Sequence, residues 1–357
     1  MKTAAKKTKA TQAEVKCPTM QDVADACGYS RATVSLALRG ARLIPDSTRR
    51  KVEEVANRLG YRTNPMVASL MSLHRRRRSV AGLRTTIAYL NPIPPGHTGR
   101  SYGPYRRMFE GARERAQEVD CQLEEFHLVA PGMTPNRMRN ILRARGIHGI
   151  IVGPLPGATV TLDFDFSDFV AVGLGMSLVS PLIERVANDH FQSAALAVRK
   201  CVELGYRRIG FAIGRDTSGR LEHRWLGGFR SEMDQHPELA VIPPLLPDFS
   251  EEVPAALPAW LKKHRPDVVV LGNVEAAAQA ALPADVGMVL VGVDSEQGPQ
   301  TGIFQNFTLL GRSVAERVFT LLHNNSFGAL QQPVVHLVGG VWVPGTTAPG
   351  PGKKRLA

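Results

Sequence analysis

The sequence predicts an all-α head of short helices joined to a larger α/β body with parallel sheets. Residues 18–64 divide into short helical segments that have their own start and stop signals. After Arg84, short apolar strands alternate with amphipathic helices, which is typical of repeated βαβ units. The charge divides the chain at the same place. Residues 1–84 contain 18 Lys and Arg against 6 Asp and Glu, whereas residues 85–357 contain 26 of each sign, because the whole chain has 44 and 32.

This charge asymmetry predicts an acidic polymer or surface as the partner of the first quarter of the chain. A solvated basic tail is the alternative. It accounts for residues 1–17, which are rich in Lys, have little apolar character and are predicted to be disordered. It does not account for the twelve arginines between Arg31 and Arg84.

The same features predict the compartment. Residues 1–17 lack the apolar region of a secretory signal, and apolar runs such as Val268–Leu271 are far shorter than the roughly 20 residues that span a bilayer. The four cysteines form no CxxC pair and no metal-ligand spacing, so we expect small buried side chains in a reducing cytosol. We therefore expect a cytoplasmic protein that binds no membrane, no metal and no cofactor.

The first two helices of the head are predicted from their caps. Thr19 and Asp22 resemble a capping box for the first helix, which Gly28 ends. Ser30 is the predicted N-cap of the second helix, residues 31–39. The tight Gly-containing turn between them predicts a helix-turn-helix. The residues predicted to face inward are apolar and follow helical spacing: Val23, Ala24, Cys27, Val34, Ala37, Leu38, Val52, Val55, Ala56 and Leu59.

The third helix is predicted from Pro45 to Gly60. Pro65 then suits the first turn of a further short helix up to His74, but about nine residues do not form a stable helix alone in water. We expect this segment to order only when a partner packs on it. The run Arg75 to Arg78 follows, so residues 65–84 are predicted to be a short helix and a basic linker.

The body is predicted to be a set of parallel sheets with helices on both faces, large enough for two lobes. Such sheets bind ligands at the carboxyl ends of their strands. The strands are predicted at residues 86–90, 149–152, 169–172, 209–213, 268–271 and 289–293. The helices are predicted at residues 105–119, 134–145, 191–204, 226–235, 255–264 and 311–322. The Pro349 to Gly352 segment breaks any helix, so residues 348–357 are predicted to be a tail.

Several motifs resemble those of one family. Residues 22–35 contain the pattern D-V-A-x-x-x-G-x-S-x-x-T-V-S, which is similar to the signature of the lactose-repressor-type (LacI/GalR) transcription regulators. Residues 48–49, 59–61 and 64 continue it. In the body, the segment 205–211 resembles the family's G-H-R-R-I-G-F strand entry, and residues 305–311 resemble its return to the first lobe. The resemblance covers about residues 18–347 and is most specific in the head.

The resemblance implies an all-α helix-turn-helix DNA-binding head and a hinge helix, joined to a two-lobed α/β core that is similar to a periplasmic sugar-binding protein. It implies a sequence-specific transcription regulator, in most cases a repressor, that acts as a homodimer on a pseudo-palindromic operator and responds to a sugar or another polar metabolite. The implied first lobe is about residues 85–187 and 305–332. The implied second lobe is about residues 188–304 and 333–347.

In the head, the resemblance places residues 31–39 in the major groove of DNA. Arg31, Ala32 and Leu36 match base-reading positions; arginine can bond guanine bidentately, and alanine or leucine offers apolar contact to a thymine methyl. Core packing is the alternative role of Leu36. Leu70 matches the hinge leucine that wedges into the minor groove, or it packs hinge against hinge. Polar residues that match other DNA contacts are Thr19, Ser30, Thr33, Ser35, Arg39 and Asn64.

In the core, the resemblance implies an effector site between the lobes. Sugar-binding members carry arginine three residues before a Gly-aromatic pair, but here that position is Trp225, with Arg224 beside it. This departure argues against a common hexose. The residues that match effector positions or line the other wall are Tyr102, Arg224, Trp225, Asn273, Asp294, Gln305 and Phe307. Asp294 has a helix cap as its alternative role.

Two other classes of protein fit the sequence less well. An enzyme is not expected, since there is no HExxH, GxSxG or P-loop, and Gly173 to Met176 only begins a GxGxxG motif. A binding protein for transport or sensing, without specific DNA binding, is the main alternative. It fits the core, but it does not explain the basic head.

Overall fold

The computed structural model describes residues 20–38, 44–59, 85–94, 103–156, 160–272, 281–293 and 295–353. The chain forms two compact units, Met1–Gly82 and Leu83–Ala357. We call the described part of the first unit the head and that of the second the body. Helices and strands are numbered in chain order.

The head contains α1 (Met20–Cys27), α2 (Arg31–Leu38) and α3 (Asp46–Leu59), which start and end within about one residue of the predicted positions. The side chains buried between the three helices were predicted to face inward: Val23, Ala24, Cys27, Val34, Ala37, Val52, Val55 and Ala56. Leu38 is only partly buried. The prediction for Leu59 was wrong, because this side chain ends α3 and is 36% exposed.

The first sheet of the body has six parallel strands in the order β12-β7-β5-β3-β1-β2. Its strands are β1 (Thr85–Asn91), β2 (Cys121–His127), β3 (Gly149–Val152), β5 (Val170–Leu174), β7 (Glu184–Asn188) and β12 (Val335–Val338). A separate two-stranded sheet joins β4 (Val160–Thr161) and β6 (Leu178–Ser180).

The second sheet has the order β13-β11-β10-β9-β8, in which only β13 is antiparallel to its neighbour. Its strands are β8 (Ile209–Ala212), β9 (Val268–Leu271), β10 (Gly287–Val293), β11 (Gly302–Phe304) and β13 (Val341–Val343). All side chains of β8 and β9 are buried, as expected of strands in a parallel sheet covered on both faces.

Seven α-helices of the body lie within the described residues. They are α4 (Gly103–Glu118), α5 (Pro135–Ala144), α6 (His190–Glu203), α7 (Arg215–Arg220), α8 (Arg224–Met233), α9 (Val253–His264) and α10 (Phe307–Asn324). Thr134 caps α5 through its side chain, which accepts a hydrogen bond from the Arg137 backbone N–H. Six of these helices were predicted, and α7 was not.

Alternation along β1 shows how the first sheet separates two cores. Ile87 and Tyr89 pack with α4 and α10 on one face, whereas Ala88 and Leu90 pack with α5 on the other. Successive side chains of a strand point to opposite faces, so a single apolar strand serves both layers. The three described cysteines, Cys27, Cys121 and Cys201, are buried, as expected.

The chain passes between the two sheets three times. It leaves the first sheet after β7, returns after β11, and leaves again between β12 and β13. The last crossing differs from the implied lobe boundary at residue 333, because Val335–Val338 pairs with β7 in the first sheet. All four residues of β12 are half-buried or exposed, and this strand was not predicted from the sequence.

None of the helices in the described part of the chain is long and apolar enough to cross a membrane.

Candidate functional site

The second helix of the head begins with a side-chain cap. The Ser30 hydroxyl accepts a hydrogen bond from the Thr33 backbone N–H at 3.1 Å, and the two hydroxyl oxygens lie 2.9 Å apart. This confirms Ser30 as the N-cap of α2. It leaves two hydroxyl groups at a positively polarised helix terminus, where a phosphate oxygen is stabilised.

Leu36 lies on the outer face of α2. Its side chain is 37% exposed, whereas Val34 and Ala37 on the same helix are fully buried. Core packing therefore does not explain Leu36, and the apolar side chain is available to a partner of the head. An exposed leucine on a helix next to polar caps suits contact with a thymine methyl group.

The remaining predicted DNA contacts are only partly covered by the structure. Arg31, Ala32 and Ser35 belong to the described helix α2, but their side chains lie outside the described residues. Thr19, Arg39, Asn64 and Leu70 also lie outside the described residues. Their roles remain predictions.

Helix α3 carries further basic residues that suit contact with phosphate groups. The Lys51 ammonium lies 5.2 Å from the centre of the Tyr29 ring. Arg49 pairs with Asp46 at 2.9 Å and donates a hydrogen bond to the Ile44 carbonyl. Cation–π contact and ion pairing hold these long side chains close to the turn that precedes α2 and to the start of α3.

In the body, two of the crossings between the sheets are hydrogen-bonded to each other. The Asn188 side-chain N–H₂, at the end of β7, donates to the Gln305 carbonyl oxygen at 2.7 Å. The Gln305 side-chain N–H₂ donates to the Val291 carbonyl oxygen at 2.6 Å. Gln305 thus lies in the crossing after β11, where the family resemblance places it, and its buried amide nitrogen holds the crossing to β10.

Trp225 lies in the first turn of α8 and is buried against His190, the first residue of α6. The ring centres are 4.9 Å apart at an angle of 76°, an edge-to-face contact. Neither Trp225 Nε1 nor His190 Nδ1 has a hydrogen-bond partner among the described residues. A buried polar group without a partner costs about 1–3 kcal/mol.

The environment keeps His190 uncharged. Burial, followed by the positive charges of Arg224 and Arg220, lowers the pKa of His190 from 6.5 to about 3. The imidazole is therefore neutral near pH 7 and can accept a hydrogen bond at one ring nitrogen while it donates at the other. Desolvation is the larger cause, as expected for a side chain that is only 7% exposed.

Arginine and glutamate side chains connect the two sheets near this pair. Glu222 precedes α8 and accepts hydrogen bonds from Arg224 at 2.8 and 3.2 Å. The buried Arg185 of β7 lies 3.9 Å from Glu222 and donates to the Met176 and Leu178 carbonyls. Glu222 and His223 both have left-handed backbones, with φ of 51° and 56°. Such strained residues cluster at functional sites.

Phe307 begins α10 directly after the crossing. The Arg107 guanidinium carbon lies 5.7 Å from its ring centre, so α4 and α10 meet through a cation–π contact. Of the predicted effector residues, the structure thus places Gln305 and Phe307 at one crossing and Arg224 and Trp225 in the first turn of α8. Tyr102, Asn273 and Asp294 lie outside the described residues.

Sequence reasoning missed His190, Arg185, Arg220 and Glu222. His190 follows β7 and begins α6, but β7 itself was not predicted, so no predicted strand end marked His190. Nothing in the sequence marks it as a neighbour of Trp225, 35 positions along the chain. Groups of three or more His, Cys, Asp or Glu arranged for a metal ion do not occur among the described residues.

The family model of bacterial regulatory proteins of the lacI family matches residues 19–64. Among curated relatives, an uncharacterised HTH-type transcriptional regulator of Streptomyces limosus is 26% identical over 303 residues, or 78% of this chain and 79% of the relative. The HTH-type transcriptional regulator DegA of Bacillus subtilis is 27% identical over 222 residues, and the match spans 61% of each protein.

Solved structures share the fold. The lac repressor dimer bound to operator and the anti-inducer ONPF has a TM-score of 0.52 and 20% identity, covering 93% of this chain and 99% of that one. The complex of the transcriptional regulator CelR with cellobiose has a TM-score of 0.51 and 18% identity, covering 93% of this chain and all of that one.

Proposed function

The chain belongs to the LacI family of bacterial regulatory proteins and is a helix-turn-helix transcription regulator; from this premise we propose that it is a repressor. It binds a pseudo-palindromic operator as a homodimer, and a small polar metabolite bound between the two sheets changes its operator affinity. The observation that carries this proposal is helix α2, which is capped by Ser30 and turns Leu36 outward.

The head supports sequence-specific binding because it separates two kinds of contact. Hydroxyl groups at the start of α2 and basic side chains of α3 suit phosphate oxygens, which orient a head on the duplex without reading its sequence. Leu36 suits a base edge. Two heads on a homodimer would read two half-sites, so a two-fold-symmetric operator is expected.

The body supports regulation by a ligand because its two sheets form separate lobes joined only by short crossings. We propose that the lobes are divided at residues 188–190, 304–307 and 338–341, where the chain passes between the sheets. A ligand that binds both lobes changes the angle between them. Arg185 and Glu222 form an ion pair across the same gap at 3.9 Å, so the lobes also interact directly.

We further propose that the body serves binding rather than catalysis, and that the protein acts in the cytoplasm, where its operator lies. Both proposals follow from its membership of a family of transcription regulators.

Genome-wide mapping of bound DNA, followed by footprinting on the enriched fragments, tests the proposed function. We expect one enriched motif with two-fold symmetry and protection of both half-sites by the purified protein. Deletion of the gene should raise transcription from the adjacent promoter. Enrichment without a symmetric motif would reject a specific repressor, and reduced transcription after deletion would indicate an activator.

A further inference from the structure

Two buried nitrogen atoms near the start of α8 lack hydrogen-bond partners among the described residues: Trp225 Nε1 and His190 Nδ1. Both side chains are only 7% exposed, and their rings touch edge to face. The indole N–H can only donate a hydrogen bond, so it requires an acceptor. Buried polar groups of folded proteins almost always have hydrogen-bond partners. A buried polar group without one therefore indicates a partner that the described residues do not supply.

The charges around these two rings favour an acceptor that is negative. Arg220, the last residue of α7, is partly buried and has no ion-pair partner among the described residues. It nevertheless lies close enough to His190 to lower the pKa of the imidazole, as does Arg224. The nearby carboxylates are occupied, because Glu222 accepts hydrogen bonds from Arg224 and Asp189 accepts one from the Gln192 backbone N–H.

The backbone adds to the positive potential. Helix α8 has ten residues, and its N-cap, His223, makes no side-chain hydrogen bond to the first turn. The first N–H groups of a helix carry a partial positive charge, which stabilises an anion at this terminus. The His223 imidazole is held away from that role, since its Nδ1 lies 2.9 Å from the Ser218 hydroxyl.

We propose that the effector of this protein is an anion, and that its carboxylate or phosphate group binds at the first turn of α8 between Arg220 and Trp225. The anionic oxygens accept hydrogen bonds from the Trp225 indole N–H and the Arg220 guanidinium, and His190 supplies a further donor or acceptor. Trp225 therefore does more than pack the core of the second sheet. This proposal rests on the proposed function, because it names the chemical class of the effector.

Calorimetric titration of the full-length protein with matched probes tests the proposal. The probes are ribose against ribose 5-phosphate, glucose against gluconate, and inorganic phosphate. We expect an anionic probe to bind at least about tenfold more tightly than its neutral partner. Arg220→Gln and Trp225→Phe should remove that preference. Arg230→Gln, a change in the last turn of the same helix, should keep it.

Equal binding of neutral and anionic partners would overturn the proposal, as would a preference that survives both Arg220→Gln and Trp225→Phe. Absence of saturable binding by all three anions up to about 10 mM would also overturn it. Circular dichroism on each variant separates loss of binding from loss of folding, and Trp225→Phe keeps an aromatic ring against His190.

Gel-shift titrations with the mapped operator distinguish this failure from failure of the proposed function. If wild-type protein binds the operator and a neutral sugar releases it, the regulator function stands and the anionic effector is wrong. If anions bind as expected but no symmetric operator exists, the anion site stands and the repressor function is wrong.

Discussion

Leu36 and Val34 lie two positions apart on α2 and face opposite ways, so truncation of each side chain should affect a different property. Leu36 is 37% exposed and Val34 is fully buried. We expect Leu36→Ala to weaken operator binding by about 1–3 kcal/mol more than it weakens binding to random duplex. The free energy of unfolding of the head should change by no more than about 0.5 kcal/mol.

Val34→Ala is the matched control for that change. It removes buried methyl groups from the three-helix core and should destabilise the head by roughly 1–3 kcal/mol, with equal losses on operator and random duplex. Fluorescence anisotropy on both duplexes and hydrogen exchange of α2 measure the two effects. Equal losses on both duplexes for Leu36→Ala would remove this leucine from base reading.

Glu184 makes the stability of the body depend on pH. The Arg317 guanidinium donates two hydrogen bonds to its carboxylate, and His336 Nε2 lies 3.0 Å away, so the pKa of Glu184 is lowered from its ordinary 4.5. A carboxyl group whose pKa is lower in the folded state adds stability above its ordinary pKa. That contribution is lost as the pH falls below about 4.5 through the folded pKa.

We therefore expect Glu184→Gln to destabilise the body by about 1.5–3 kcal/mol at pH 7, because the half-buried Arg317 loses the carboxylate that accepts its two hydrogen bonds. The difference in the free energy of unfolding between Glu184→Gln and wild type should shrink when urea denaturation is carried out below pH 4.5. Glu316→Gln, which removes an exposed partner of Arg115, should cost no more than about 1 kcal/mol. Urea denaturation at pH 7 and below pH 4.5 measures these changes. If Glu184→Gln loses the same stability at both, the lowered pKa of Glu184 does not make the stability of the body depend on pH.

At the scale of helices, the packing of α8 on α6 depends on one of two adjacent glycines. A Cβ on Gly228 would overlap the Phe191 carbonyl oxygen, whereas a Cβ on Gly227 would meet the Phe191 ring at an ordinary 3.7 Å. Gly228→Ala should destabilise the body by about 1–3 kcal/mol, because the helices must separate. Gly227→Ala should stabilise the body by up to about 1 kcal/mol, because alanine loses less backbone entropy than glycine when the helix forms.

Thermal and urea denaturation of the two glycine variants measure this difference. A similar effect of both substitutions would show that α6 and α8 adjust freely, which would contradict the close approach. Gly227→Ala is the matched control for Gly228→Ala, because both residues lie in the same turn of α8 and both changes add one methyl group.

The strands that the sequence predicts best are uniformly apolar. Residues 149–152 and 268–271 form β3 and β9 with the predicted bounds. Strand β7 was missed because Glu184 and Arg185 stand in it. Glu184 is buried with Arg317, 133 positions away, and Arg185 is buried with the Met176 carbonyl oxygen, which no local pattern indicates. Edge strand β2 was missed because its polar side chains face solvent.

The candidate sites divide in the same way. Ser30 follows from a local rule, since a cap needs only a few neighbouring residues, and Leu36 follows from a family motif within one helix. The group around Trp225 and His190 does not, because their contact requires α6 and α8 to pack side by side. Likewise the crossing held by Asn188 and Gln305 joins residues 117 positions apart, and no local pattern reports such a pair.

At the scale of the whole molecule, the charge distribution separates DNA binding from ligand binding. The net charge of the chain is +12, and residues 1–84 alone carry 18 positive against 6 negative side chains. Residues 85–357 carry 26 side chains of each sign, so their contribution to attraction for a polyanion is small. The two compact units, Met1–Gly82 and Leu83–Ala357, divide the chain close to the same point.

We therefore expect operator binding by the full-length protein to weaken steeply with salt. If a dimer neutralises about 6–10 phosphates, its affinity should fall on the order of 10³–10⁵-fold between about 50 and 200 mM salt, because bound cations are released from the duplex. Random duplex should show a similar slope at lower affinity. A protein that begins at residue 83 should bind neither duplex while it keeps its ligand. Anisotropy titrations at four salt concentrations measure the slopes. A shallow slope, or duplex binding by the shortened protein, would show that the basic first quarter of the chain does not provide the main contact with DNA.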